Sequence, residues 1–272
     1  VNKEEAMSTG LAYVQHDNTS VIAVDAKTQL SPGQNRKSVR ISSKQTFDNG
    51  LFIADFYSLP HGCGAWPAYW TLGTTKPWPE AGEIDLVEAT HNSPTSQVTI
   101  HTGPGCDWNS KPKPLVTTAV VQPGVPFTGQ IVGETCVSSP GADTGCGVRT
   151  TGNNTFGEGF NRQAGGIIAH RMDVNGIAVW QFARDEIPKD IIAGTPNPSG
   201  WPTPVALFTS EGCDIATHFQ AHQMILDITL GGDFGKATFA NSGCPGTIED
   251  TIANPTNFKF AKFKIASISV YQ

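Results

Sequence analysis

Charge is scarce in this 272-residue chain: Asp, Glu, Lys and Arg make up 15% of it, and 18 basic residues are outnumbered by 24 acidic ones. The formal charge of −6, with Lys and Arg scattered rather than striped, builds no basic field, which excludes nucleic acid as an expected partner and disfavours an acidic polysaccharide. No apolar run approaches the roughly 20 residues of a membrane-spanning helix, and the opening Val1-Asn2-Lys3-Glu4-Glu5 is polar. A soluble protein with no membrane partner, its signal peptide already removed, is therefore expected. No two cysteines stand in the C-x-x-C spacing of zinc or redox sites, and no segment repeats at a fixed period, which sets aside a propeller. No linker or low-complexity stretch divides the chain, so residues 1–272 are read as a single domain.

What is abundant is turn chemistry. With 29 Gly and 19 Pro, the composition suits many short strands joined by tight turns and leaves little room for long helices. Period-two or continuous β-rich runs recur at 20–25, 38–42, 51–57, 82–88, 98–101, 166–171, 177–182, 224–229 and 265–270. Only 186–193 and 209–221 could hold a helical turn. An all-β, two-sheet antiparallel jelly roll with long pinned connections, such as that from Asn109 to Phe160, fits this pattern. The six cysteines, Cys63, Cys106, Cys136, Cys146, Cys213 and Cys244, are even in number and imply up to three disulfides and an oxidising compartment; only Cys136 with Cys146 is suggested by proximity. The sequons Asn18-Thr19-Ser20 and Asn153-Asn154-Thr155 agree with a secreted, extracellular glycoprotein.

The informative segment is Ala81-Gly82-Glu83-Ile84-Asp85-Leu86-Val87-Glu88. In a regular strand Glu83 and Asp85 share one face and Glu88 points to the other. One extra residue at Leu86-Val87, a β-bulge, restores the phase and brings all three acids to the same side. Crowding three carboxylates is costly, because like charges push at least one pKa upward. On an exposed strand Glu-x-Asp is commonly a solvated face, but these acids interrupt an apolar strand and follow a glycine suited to close approach. Retaining glycoside hydrolysis needs this set: one ionised carboxylate attacks the anomeric carbon while a protonated one, about 5 Å away, donates to the leaving oxygen. Glu83 is read as nucleophile, Glu88 as acid and then base, and Asp85 as the group that tunes the nucleophile.

Gly82-Glu83-Ile84-Asp85-Leu86-Val87-Glu88 resembles the bulged signature of glycoside hydrolase family 16, as found in its laminarinase-type members. The resemblance continues in Leu30-Ser31-Pro32-Gly33, Arg36-Lys37-Ser38-Val39-Arg40-Ile41, Gly62-Cys63-Gly64-Ala65-Trp66-Pro67-Ala68-Tyr69-Trp70, Thr99-Ile100-His101-Thr102-Gly103 and Gly243-Cys244-Pro245-Gly246. It implies a concanavalin-like sandwich with a concave glycan-binding cleft and a fungal endo-β-1,3(4)-glucanase activity. No cofactor or catalytic metal and a β-glucan partner are expected, on a monomer. By matching position it makes Trp78, Trp70, His101 and Arg40 substrate-binding residues, with Phe234 standing where relatives carry a tryptophan. Trp66 is read as a core residue, and His91, His170 and His222 as structural or surface residues. A metal set of His61, His91 and His218 is disfavoured by spacing. The chain begins inside the family pattern, so the family's first edge strand is expected to be missing and the strand at 265–270 to present a free edge. Two alternatives stand beside hydrolysis: transglycosylation of cell-wall glucan, and a non-catalytic lectin-like jelly roll, which would need neither Glu83 nor Glu88.

Overall fold

The computed structural model describes residues 1–106, 120–122 and 125–272, so part of the expected long connection from Asn109 lies outside the described residues. Its strands are β1 (Ala12–Val14), β2 (Ser20–Ala23), β3 (Arg40–Ser42), β4 (Gly50–Ser58), β5 (Ala65–Gly73), β6 (Glu83–Glu88), β7 (Gln97–His101), β8 (Val120–Gln122), β9 (Val125–Pro126), β10 (Gln130–Glu134), β11 (Cys146–Arg149), β12 (Gly166–Asp173), β13 (Gly176–Ala183), β14 (Ala206–Thr209), β15 (His222–Leu230) and β16 (Lys262–Tyr271). They form two antiparallel seven-stranded sheets, ordered β1-β2-β16-β4-β12-β13-β14 and β10-β11-β7-β6-β5-β15-β3, beside the small β8-β9 pair. This is the expected jelly roll.

The inter-sheet core joins Phe56, Phe263 and Ile168 of the first sheet to Tyr69, Ile84, Val98 and Ile228 of the second. A second apolar cluster, Leu51, Ile53, Ile167, Ala169, Trp180 and Phe182, is covered by Ile187, Ile191 and Trp201. Adjacent Ile167 and Ile168 thus enter different clusters, which is why β12 reads as a continuous apolar run rather than an alternation. Each large side chain removed from water in this way contributes about 2 kcal/mol.

Three disulfides, Cys63–Cys244, Cys106–Cys213 and Cys136–Cys146, leave no free cysteine. Buried Arg36 ties the amino-terminal region to the helix Ile248–Ala253: its guanidinium donates to the carbonyls of Ile252 and Ala253 at that helix's end and to those of Asp25 and Thr28. A cation at a helix C-terminus complements the helix dipole while satisfying carbonyls the helix itself leaves unpaired.

Two expectations are corrected. β5 was absent from the strands read in sequence because Pro67 interrupts it; the chain tolerates this because the ladder to β6 begins one residue later, at Ala68. Helices at Lys3–Ser8, Gly157–Arg162, Gly232–Phe239 and Ile248–Ala253 join the two expected turns, which appear as Lys189–Ile192 and Ile215–His218. All are short, six being the commonest length and eight the longest, so they carry little periodicity to detect. The last strand, β16, pairs with β2 over Lys262–Ile265 and with β4 from Lys264 to Tyr271, so beyond Ile265 its side away from β4 carries no named strand ladder, in line with the free edge expected at 265–270. Among the described residues no helix is long and apolar enough to cross a membrane.

Candidate active site

β6 lies at the middle of the second sheet, between β5 and β7. Its ladder to β5 runs Leu72 to Glu83, Thr71 to Ile84 and Trp70 to Asp85, then jumps to Tyr69 with Val87 and Ala68 with Glu88. Leu86 is the extra residue. The same irregularity falls between Asp85 and Glu88 opposite β7. The bulge turns Glu83, Asp85 and Glu88 onto one face, and Ile84, Leu86 and Val87 all enter the core on the other, where only one of the two bulge residues was expected. Gly82 is demanded by space as much as by its φ of +80°: a Cβ there would sit 2.4 Å from the carbonyl oxygen of His218.

Two indoles hold the outer acids. Trp78 Nε1 donates to Glu83 Oε2 at 2.8 Å, and Trp66 Nε1 donates to Glu88 Oε1 at 2.8 Å. Between them Asp85, 3% exposed, shares a hydrogen bond with Glu83 and faces His101 Nε2 at 3.2 Å from Oδ2. His101 Nδ1 meets Ser138 Oγ at 3.0 Å, and Ser138 lies in the loop closed by the Cys136–Cys146 disulfide. Glycine at 145 lets that loop approach, since a Cβ there would stand 2.7 Å from the His101 ring.

Burial dominates the electrostatics. It raises Glu83 to about 8, with repulsion from Asp85 adding to it and His101 opposing. It raises Glu88 to about 7, against the Trp66 hydrogen bond. Asp85 is also pushed well above its ordinary value, first by burial and then by Glu88. Three carboxyls so placed cannot all be ionised, and they release protons as a coupled unit rather than as independent acids. Oxygen and nitrogen atoms of Glu83, Asp85 and His101 lie within 4.8 Å of one another, a spacing that would also admit a cation. His61, His91 and His218 instead engage separate partners: Asn92, the backbone of Gly64 and Gly235, and the Pro104 carbonyl.

The substrate-binding candidates fall around this trio. Trp78 is partly exposed, tilted against His101 at 6.2 Å. Arg40, from the edge strand β3, lies over the Trp70 ring at 4.6 Å, so one face of Trp70 is occupied by a guanidinium. Phe234, on the helix Gly232–Phe239, contacts Trp66 edge-on at 5.7 Å. Trp66 is therefore not the core residue expected of it. Inside β5 the side chains alternate, and Trp66, like Trp70, falls on the face of the acids. Asp227 was not foreseen at all: on β15 it accepts from Trp70 Nε1 at 3.3 Å, sits 3.9 Å from Arg40, and adds repulsion to Asp85 and Glu88. Only the β15-β5 register, which places Asp227 opposite Ala68, could have found it.

Fold and site together define the class of β-jelly-roll domains that carry a carboxylate trio on one sheet face. The family model for XgeA-like, catalytic GH16 domains matches residues 1–271, and the chain belongs to that glycoside hydrolase family. It is 38% identical over 275 residues to a probable glycosidase of Schizosaccharomyces pombe, covering all of this chain and 62% of that protein. A probable endo-1,3(4)-beta-glucanase of Aspergillus clavatus is 34% identical over 283 residues, with 100% of this chain and 42% of the relative covered. The chain thus spans about half the length of the curated relatives it matches. The solved structure of Laminarinase 16A from Phanerochaete chrysosporium, holding beta-glucans in donor and acceptor sites, superposes with a TM-score of 0.89 at 35% identity, covering 100% of this chain and 89% of that one.

Proposed function

We propose that residues 1–272 act as one secreted, monomeric catalytic domain, a retaining endo-hydrolase of β-1,3- or mixed β-1,3/1,4-glucan. The observation that carries this reading is the bulge that turns Glu83, Asp85 and Glu88 to one face, with an indole N–H on each outer acid. Burial and Glu88 push Asp85 up, and in our reading the one proton of the Asp85–Glu83 pair sits on Asp85, the more deeply buried, when substrate is attacked, which leaves Glu83 as the anion. Glu83 forms a bond to the anomeric carbon as the glycosidic bond breaks, and Glu88 gives its proton to the departing oxygen. Glu88, now ionised, takes a proton from water, whose oxygen displaces Glu83 and restores both acids with the anomeric configuration retained.

Trp78 and Phe234 offer apolar faces to glucose rings and Arg40 supplies hydrogen bonds to hydroxyls, while His101, expected to do the same, has both ring nitrogens engaged by Asp85 and Ser138 and acts on the acids instead. Trp70 supports Arg40 from below, its indole held by Asp227. The three disulfides suit an extracellular protein. Reducing-sugar release from laminarin, compared between wild type and Glu83→Ser, tests the reading. Loss of release is expected; equal release from both would discard Glu83 as nucleophile. Products longer than the substrate would move the assignment toward glucosyl transfer through the same covalent intermediate.

A further inference from the structure

The catalytic face is built from above by indoles; what holds it from beneath is an imidazole the mechanism does not use. We propose that His222 is a positioning residue for Glu83, clamping the backbone just ahead of the nucleophile from inside the sandwich. This rests on the reading of Glu83 as nucleophile.

The geometry is explicit. His222 opens β15 opposite Gly73 of β5, and its side chain is 1% exposed. Nε2 lies 3.1 Å from the carbonyl oxygen of Ala81, two residues before Glu83. A carbonyl can only accept, so Nε2 carries the hydrogen, which leaves Nδ1 bare to accept from the Thr71 hydroxyl at 2.7 Å. Thr71 stands on β5 directly opposite Ile84, the residue after Glu83. One neutral ring therefore ties β15, β5 and the start of β6 together on both sides of the nucleophile. The only residue between the clamped Ala81 and Glu83 is Gly82, whose freedom of φ and ψ would pass any slackening directly to the carboxylate. Gly82 is otherwise held by Gly73 N–H on its carbonyl at 2.9 Å and by its own N–H on the Pro79 carbonyl at 3.0 Å, and Ala81 by Gln220 N–H at 3.2 Å.

A protonated ring could still donate from Nδ1 to the Thr71 hydroxyl, but it would be a cation buried inside the sandwich, so the clamp is the neutral ring. Burial favours that state, while the Ala81 carbonyl and Asp48 oppose it. His170 faces it from β12 across the core, fully buried with neither ring nitrogen hydrogen-bonded; Asp48, from the turn before β4, acts on it as a nearby acid, and Phe219 packs on its ring at 5.7 Å. Burial, the largest effect, lowers His222 to about 4.

The test compares wild type with His222→Leu, His222→Gln and Thr71→Val, on laminarin and on an aryl laminarioside with an activated leaving group. His222→Leu is expected to lower kcat about tenfold or more on both substrates with KM moved by less than about twofold, since a displaced nucleophile slows bond formation whatever the leaving group. His222→Gln, whose amide offers one N–H and one oxygen to the same two partners, should recover kcat to within about threefold. Thr71→Val should fall between. A folded His222→Leu with wild-type kcat, a loss confined to KM, or equal impairment of the Gln and Leu variants would overturn the proposal. If His222→Leu does not fold, wild-type kcat in Thr71→Val overturns it and a lowered kcat there, with His222→Gln near wild type, supports it. Laminarin cleavage that survives Glu83→Ser would instead strike the reading of the site, separately from His222.

Discussion

Replacing Glu88, the proposed acid, by glutamine should make the protein more stable while weakening the proposed cleavage of polymer, and the gain should depend on pH in one direction. In the fold Glu88 holds its proton up to about 7, against 4.5 for an ordinary glutamate. Below pH 4.5 it is neutral both folded and unfolded, and no penalty arises. As pH rises through that window the unfolded chain sheds the proton freely while the folded one resists, and stability falls until the folded group has also ionised. The difference corresponds to about 3 kcal/mol at 1.36 kcal/mol per pKa unit. A neutral glutamine escapes it, and its amide oxygen can keep the 2.8 Å hydrogen bond from Trp66. The variant should therefore gain about 2–3 kcal/mol over wild type at pH 8 relative to any difference at pH 4.5, or about 5–10 °C in Tm for a chain of this size. Denaturant titrations of both proteins at the two pH values measure this double difference. A gap that is the same at pH 4.5 and pH 8 would refute the claim that ionised Glu88 strains the fold.

The same variant should release the first equivalent of a leaving group that needs no protonation in a rapid burst and then turn over slowly, because the second step still lacks its base; no burst from such a glycoside would remove Glu88 as the acid. Trp66→Phe deletes the donor that favours ionised Glu88, so the alkaline limb of kcat should move up by about one pH unit, read from a pH-rate profile. Arg36→Leu strips donors from four carbonyls and should cost about 3 kcal/mol or more, visible as a lowered denaturant midpoint at unchanged slope. Gly82→Ala forces a Cβ to 2.4 Å from the His218 carbonyl and should lower both stability, by about 1–3 kcal/mol, and kcat; a wild-type midpoint would mean that the contact relaxes freely.

The bulge in β6 was legible because two local rules conflict there. Alternation sends Glu88 away from Glu83, the apolar residues demand a core face, and one inserted residue reconciles them. The Cys136–Cys146 pair was legible for a related reason, a separation of only 10 residues, whereas Cys63–Cys244 and Cys106–Cys213 span 181 and 107 and join connections that only the tertiary fold brings together. Trp66 was misread because in β5 two aromatic side chains face the acids and Tyr69 faces the core, leaving no alternation of polarity to show which side is which.

By itself the sequence determined the strand-rich class and the one face on which three acids gather, since both depend on side-chain period and on residues within six positions of one another. Tertiary structure decided what surrounds those acids. Trp66, Asp227, Ser138 and His222 reach the site only through the register of strands and loops far apart in the chain, and ladder pairing, which sums many weak backbone bonds over a whole sheet, leaves no mark on any single segment.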